Sequence, residues 1–220
     1  MGKPSIHIHL LGICGTGMAA LAGILKELGH RVTGSDEHVY PPMSTFLEGL
    51  GIPLQNGYNP ENLDPRPDLV VVGNVIRREN PEAQTVEALG LPRLSLPEAL
   101  NRFLVGDRQS LVVTGTHGKT TTTALLSWLL FAAGRDPGFM VGGLAKNFAS
   151  NYRVGGGPYV VLEGDEYDTA YFDKRPKFVH FHPAVALLTS VEFDHADIYQ
   201  DLDHVITAFE SFLSLSLIHI

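Results

Sequence analysis

The chain has 220 residues, 44% hydrophobic and 18% charged, which is enough apolar content to bury one large core or two smaller ones. A formal net charge of −8, with no basic cluster anywhere, argues against a nucleic-acid partner. No apolar run approaches the ~20 residues of a membrane span. The single cysteine, Cys14, allows no internal disulfide, so a cytoplasmic protein is expected.

In chain order, Ser5–Leu11 is predicted to be a strand, and "MGKPSIHIHLLG" has the layout of a strand rather than of a secretory leader. "GICGTG" then turns into an apolar helix reaching about Leu28, with Gly29 at the C′ position. Arg31–Gly34 reads as a second short strand, and "YPPMSTFLEGLG" as a helix that begins after two prolines and closes at Gly51. "PDLVVVGN" is a continuous apolar run bounded by turn residues, the pattern of a strand buried on both faces. A helix near Pro81–Leu89, a strand at Arg93–Ser95 and a helix at Pro97–Phe103 follow.

The polar stretch "LVGDRQS" places a boundary near Gly106, giving expected domains 1–106 and 107–220. Beyond it "VVTGTHGKTTTTALLSWLL" restarts the strand–loop–helix order. "PYVVLEGDEYD", "KFVHFHPAVALLTS" and a helix near Leu202–Leu215 complete the second segment, while "YRVGGGP" reads as a flexible surface turn. Alternating β and α elements define an α/β fold. A Rossmann-like parallel-sheet domain is expected first, then a P-loop-type α/β domain. Such a domain normally continues for several more strands, so the sequence is expected to be the N-terminal part of a longer protein.

Two loops carry chemistry. Gly15-x-Gly17-x-x-Ala20 follows a strand and opens a helix, with Asp36 at the end of the second strand. That is the dinucleotide-fold pattern, in which glycines let the backbone approach a diphosphate at a helix N-terminus. It does not specify the nucleotide, and a tight turn without ligand is the competing reading. Gly115-Thr116-His117-Gly118-Lys119-Thr120 resembles a phosphate loop, although the usual outer glycine, five positions before Gly118, is Val113. In such a loop backbone N–H groups cradle phosphates, Lys119 reaches the β and γ oxygens, and the Thr120 hydroxyl ligates Mg²⁺. Further oxygen ligands are expected at strand ends, where Glu163, Glu192, Asp194 and His195 stand. Asp165, Glu166 and Asp168 fit a solvated acidic turn as well as a site, and His180 and His182 are taken as structural.

"GICGTGM", "GTHGKTTTT", "EGDEYD" and "EFDHADIY", in this order, resemble the Mur ligases, ATP-dependent amide-forming enzymes of peptidoglycan synthesis. "TGSDEHVYPPMSTFLEGLGI", "GNVIRRENP" and "YFDKRPKFVHF" are similar to the members that join UDP-N-acetylmuramate to the tripeptide L-alanyl-γ-D-glutamyl-meso-diaminopimelate. The resemblance implies that Gly12, Gly15, Thr16, Gly17, Ser35, Asp36 and Asn74 hold the sugar nucleotide. It assigns ATP to Gly115, Thr116, His117, Gly118, Lys119, Thr120 and Thr121, and Mg²⁺ to Thr120, Glu163 and His195. Lys119 and His195 are the implied catalytic residues.

The implied acceptor is the lactyl carboxylate, which takes the γ-phosphoryl group to give an acyl phosphate that the peptide amine then displaces. Several family members carry a carbamylated lysine about fifteen positions after the histidine. Here Glu210 stands near that place, and none is expected. The family's C-terminal domain, which completes the ATP site, lies beyond this sequence, so the fragment alone is expected to be inactive. Three rivals remain. One is a ligase specific for L-alanine, another a non-catalytic UDP-sugar module. The third, an NAD(P) dehydrogenase, would have no use for the triphosphate loop.

Overall fold

The computed structural model describes residues 4–193, 199–216 and 218–220. It contains two compact units, Met1–Ala99 with Thr169–Lys174, and Leu100–Asp168 with Arg175–Ile220. The helical segment that ends at Gly106 therefore lies in the second unit. Among the described residues no helix is long and apolar enough to cross a membrane.

The first unit is a five-stranded sheet built from β1 (His7–Leu11), β2 (Arg31–Asp36), β3 (Leu54–Asn56), β4 (Leu69–Val72) and β5 (Arg93–Ser95). Its order is β3-β2-β1-β4-β5, and every pairing is parallel. The central strand β4 is entirely apolar and buried, as expected of a strand covered on both faces, whereas β1 carries His7 and His9 among its apolar residues. Between strands run α1 (Thr16–Glu27), α2 (Met43–Gly49) and α3 (Pro81–Ala88). Helix α1 buries Met18 through Leu25 without interruption. It stops at Gly29, whose φ of +87° lets Gly29 N–H reach the Lys26 carbonyl and His30 N–H the Leu25 carbonyl, the paired closure that glycine makes possible.

One small element completes this unit from far along the chain. β10 (Asp168–Ala170) and β11 (Asp173–Pro176) pair, and the tip between them carries Tyr171 and Phe172. Both rings pack against the cluster of Leu11, Leu63, Val70, Val72, Ile76, Ala83, Val86 and Leu91. The Tyr171 hydroxyl donates to Glu87 at 3.0 Å, and the Arg93 guanidinium lies 4.9 Å from the Phe172 ring centre.

The second unit holds β6 (Gln109–Thr114), β7 (Gly138–Ala145), β8 (Ser150–Arg153), β9 (Tyr159–Glu163), β12 (Val185–Leu188) and β13 (Ile218–His219), ordered β13-β12-β6-β9-β7-β8. All pairings are parallel except β7 with β8. Helix α5 (Lys119–Ala132) covers one face, and α6 (Leu202–Leu213) precedes β13.

Two expectations are corrected and one stretch is resolved. The predicted helix at Pro97–Phe103 is a short α4 (Leu96–Leu100) that widens into a π-turn at Asn101–Val105 before Gly106. Within "KFVHFHPAVALLTS", for which no element was specified, Lys177–His180 is a 3-10 turn and Val185–Leu188 a strand. The glycines of "YRVGGGP" serve close packing. A Cβ at Gly157 would lie 1.8 Å from the Arg135 carbonyl oxygen, and one at Gly155 2.4 Å from the Pro137 carbonyl.

Candidate functional site

In the first unit the turn from β1 to α1 is tied to the end of β2. Gly12 (φ +79°) and Ile13 both donate backbone N–H groups to the Ser35 carbonyl. The Asp36 carboxylate accepts from Cys14 N–H at 2.9 Å and from His38 N–H at 3.1 Å. Gly15 is the N-cap of α1, and no side chain caps the first turn, which also lacks acidic residues. Thr16 and Gly17 open the helix, and the N–H groups of its first turn have no side-chain cap, the general condition for a helix N-terminus to hold an anion. Asn74 is exposed in the turn after β4. Cys14 has its thiol pushed up to about 11 by burial and by Asp36, which keeps it protonated and unreactive.

Beneath this turn runs a buried polar chain that the sequence did not announce. The Ser35 hydroxyl donates to Glu82 on α3. His9 Nδ1 shares a hydrogen bond with the Thr33 hydroxyl at 2.8 Å, and its Nε2 lies 3.8 Å from Glu82 Oε1, both side chains being fully buried. Burial holds the His9 imidazole down at about 4 and raises the Glu82 carboxyl.

The second loop is shaped by strand register. β6 pairs Val113 with Glu163 on one side and Thr114 with Leu188 on the other, so the ends of β9 and β12 flank the loop that leaves Thr114. Gly115 has φ of +125° and Gly118, the N-cap of α5, has φ of +82°, values only glycine adopts at low cost. The segment after β12 braces this loop. Thr116 N–H donates to the Ser190 carbonyl at 2.9 Å, His117 N–H to the Ser190 hydroxyl at 3.1 Å, and Glu192 N–H to the Thr116 hydroxyl at 2.9 Å. No side chain caps the first turn of α5, which Lys119, Thr120 and Thr121 open.

Side chains complete the arrangement. The Thr120 hydroxyl donates to Glu163 Oε1 at 2.8 Å, while Glu163 Oε2 accepts Gly142 N–H at 2.7 Å. A hydroxyl and a carboxylate side by side are hard oxygen donors, the set that Mg²⁺ takes together with phosphate oxygens and water. No group of three or more His, Cys, Asp or Glu side chains forms a metal cage among the described residues. His195, the third expected ligand, lies outside the described residues, as does Asp194.

Lys119 Nζ donates to the Gly115 carbonyl at 2.7 Å and meets both oxygens of Glu166, at 3.0 and 3.1 Å. Glu166 is only 2% exposed, so the solvated-turn reading is corrected for this residue. Asp165 is 40% exposed and sits 3.4 Å from Lys177.

A parallel α/β unit is followed by a second α/β unit whose glycine loop carries a hydroxyl–carboxylate pair. Comparison with known proteins gives the class. The profile of the Mur ligase family, catalytic domain, matches residues 7–108, and that of the Mur ligase middle domain matches 113–217. The UDP-N-acetylmuramate–L-alanyl-γ-D-glutamyl-meso-2,6-diaminoheptandioate ligase of Haemophilus influenzae is 52% identical over 89% of this chain and 43% of its own length. The Escherichia coli protein of the same name is 50% identical over 90% of this chain and 43% of its own length. The crystal structure of UDP-N-acetylmuramate:L-alanyl-γ-D-glutamyl-meso-diaminopimelate ligase from Neisseria meningitides superimposes with a TM-score of 0.92 and 44% identity. That match covers 97% of this chain and 69% of the crystallised one. The chain belongs to the Mur ligase family, and it spans less than half the length of the curated relatives it matches.

Proposed function

We propose that this chain carries the sugar-nucleotide and ATP sites of a ligase that joins UDP-N-acetylmuramate to L-alanyl-γ-D-glutamyl-meso-diaminopimelate in peptidoglycan recycling. The observation that carries the reading is the Thr120–Glu163 pair at 2.8 Å beside Lys119 and the uncapped start of α5. The names of the two curated relatives at 50% identity or above supply the substrate pair.

In this reading the α1 N-terminus and the Gly12–Gly17 turn seat the diphosphate of the sugar nucleotide, with Ser35, Asp36 and Asn74 around it. The loop 115–118 and the first turn of α5 cradle the ATP phosphates, and Lys119 neutralises charge on the γ-phosphoryl group in flight. Thr120 and Glu163, with His195, would hold a Mg²⁺ ion, which supplies Lewis-acid charge stabilisation when bound. The lactyl carboxylate takes the phosphoryl group from ATP, giving an acyl phosphate and ADP. The peptide amine then displaces phosphate, which leaves as the amide forms. Three anionic groups meet in that first step, which is why a lysine and a divalent cation are both needed there.

Coupled detection of ADP in the protein at its relatives' length tests the reading. Release of ADP is expected only when the sugar nucleotide and the tripeptide are both present. Sustained ADP release with no muramate acceptor would instead mark a stand-alone ATPase.

A further inference from the structure

We infer that Glu166 is a positioning residue that fixes the Lys119 ammonium in the phosphate loop, and that Tyr199 holds Glu166 in place. An ammonium has three protons to donate. In Lys119 two go to strong acceptors, the Gly115 carbonyl at 2.7 Å and the Glu166 carboxylate at 3.0 and 3.1 Å. The remaining contact, to the Thr116 carbonyl, is 3.5 Å long. A phosphate oxygen can therefore take the third proton and displace only that weak contact, while the two strong ones keep the lysine aimed into the loop.

Glu166 is suited to this work because it cannot wander. It is 2% exposed, Lys119 is 13% exposed, and between two largely buried groups a charge-assisted bond is strong and directional. Its backbone is pinned as well. The Tyr199 hydroxyl donates to the Glu166 carbonyl at 2.9 Å in a buried position. Burial, with the Glu166 charge adding to it, pushes the Tyr199 phenol up to about 12, so it remains a proton donor throughout the working range. Tyr199 lies four positions after His195 in the sequence, and its hydroxyl joins that part of the chain to Glu166.

This inference rests on the nucleotide reading of the loop, and its test separates the two. In the amide-forming assay of the protein at its relatives' length, Glu166→Gln is expected to lower kcat roughly tenfold to hundredfold, because a lysine that samples other directions stabilises the transferring phosphoryl group poorly. The KM for ATP is expected to stay within about threefold, since the lysine freed from its carboxylate still attracts the triphosphate. Glu166→Asp, which keeps the charge, is expected to recover part of kcat, and Tyr199→Phe to fall between parent and Glu166→Gln. A kcat for Glu166→Gln within twofold of the parent overturns the inference. So does an equal worsening of kcat and of the KM values for all three substrates with a lowered unfolding temperature, the signature of a purely structural pair. Tighter ATP binding at unchanged kcat also overturns it, because Glu166 would then only compete for the lysine. If Lys119→Met itself leaves turnover intact, the loop is not the ATP site and the functional reading fails instead.

Discussion

At the scale of single residues, Gly115 tolerates no substitute. A Cβ there would lie 2.3 Å from the Thr189 hydroxyl and 2.8 Å from Ser190 backbone atoms, at a φ of +125° that side chains rarely adopt. Gly115→Ala is expected to cost about 2–3 kcal/mol, the upper range for a strained backbone, and to abolish ATP binding; urea unfolding and calorimetry read the two effects. Glu163→Gln keeps a partner for Thr120 and Gly142 but loses the charge, so the Mg²⁺ concentration for half-maximal activity is expected to rise roughly tenfold or more. His9 gives a pH signature. Its imidazole titrates near 6.5 in the unfolded chain and near 4 in the fold, so the unfolded state holds more protons between those values. The stabilisation is complete above the unfolded value and is lost as pH falls from 6.5 towards 4, by up to about 3 kcal/mol. Glu82 opposes it, because its raised carboxyl costs stability as pH climbs past 4.5. His9→Gln is expected to flatten the acid slope measured by urea unfolding, and an unchanged slope would show that His9 is not buried neutral. The glycines and Lys119 were readable in the sequence because each marks a backbone or charge requirement confined to one loop. Glu166 was not, since an acidic residue between two others reads as a wet turn, and its partner stands 47 positions away.

At the scale of elements, α3 is set by its cap. Asn80 Oδ1 accepts from Glu82 N–H at 3.0 Å and Ala83 N–H at 3.1 Å, with Pro81 at the first helical position. Asn80→Ala is expected to cost about 1 kcal/mol, whereas Asn80→Asp keeps most of the stability; thermal unfolding in parallel checks both. Because Glu82 lies in that first turn, a frayed cap also loosens its hydrogen bond to Ser35 beside the glycine turn. Elements with strong local punctuation were legible. Arg93–Ser95 is the strand expected, and Gly29 and Gly51 close their helices with φ of +87° and +66°. β7 gave no signal, because three glycines in "GFMVGGLA" dilute the strand pattern, and one of them, Gly142, is there to approach the Glu163 carboxylate. β3, β10 and β11 are three or four residues each, too short for a period to show.

At the scale of the whole molecule, the first unit is discontinuous in sequence, since Thr169–Lys174 returns to it after the phosphate-loop unit has begun. A chain ending at Ala99 would leave the seat of Tyr171 and Phe172 open on the cluster around Leu63 and Val86. Such a piece is expected to melt below an otherwise equal one with residues 167–176 joined to its end through a flexible linker. Equal melting temperatures would show that the two rings add nothing. The same discontinuity bears on heredity. A single genetic crossover near residue 100 between two members of this family joins one parent's apolar seat to the other parent's aromatic pair. A double exchange, or a single one beyond Lys174, inherits the pair intact, so the two stretches are expected to drift together in descent although some 70 residues separate them in the chain.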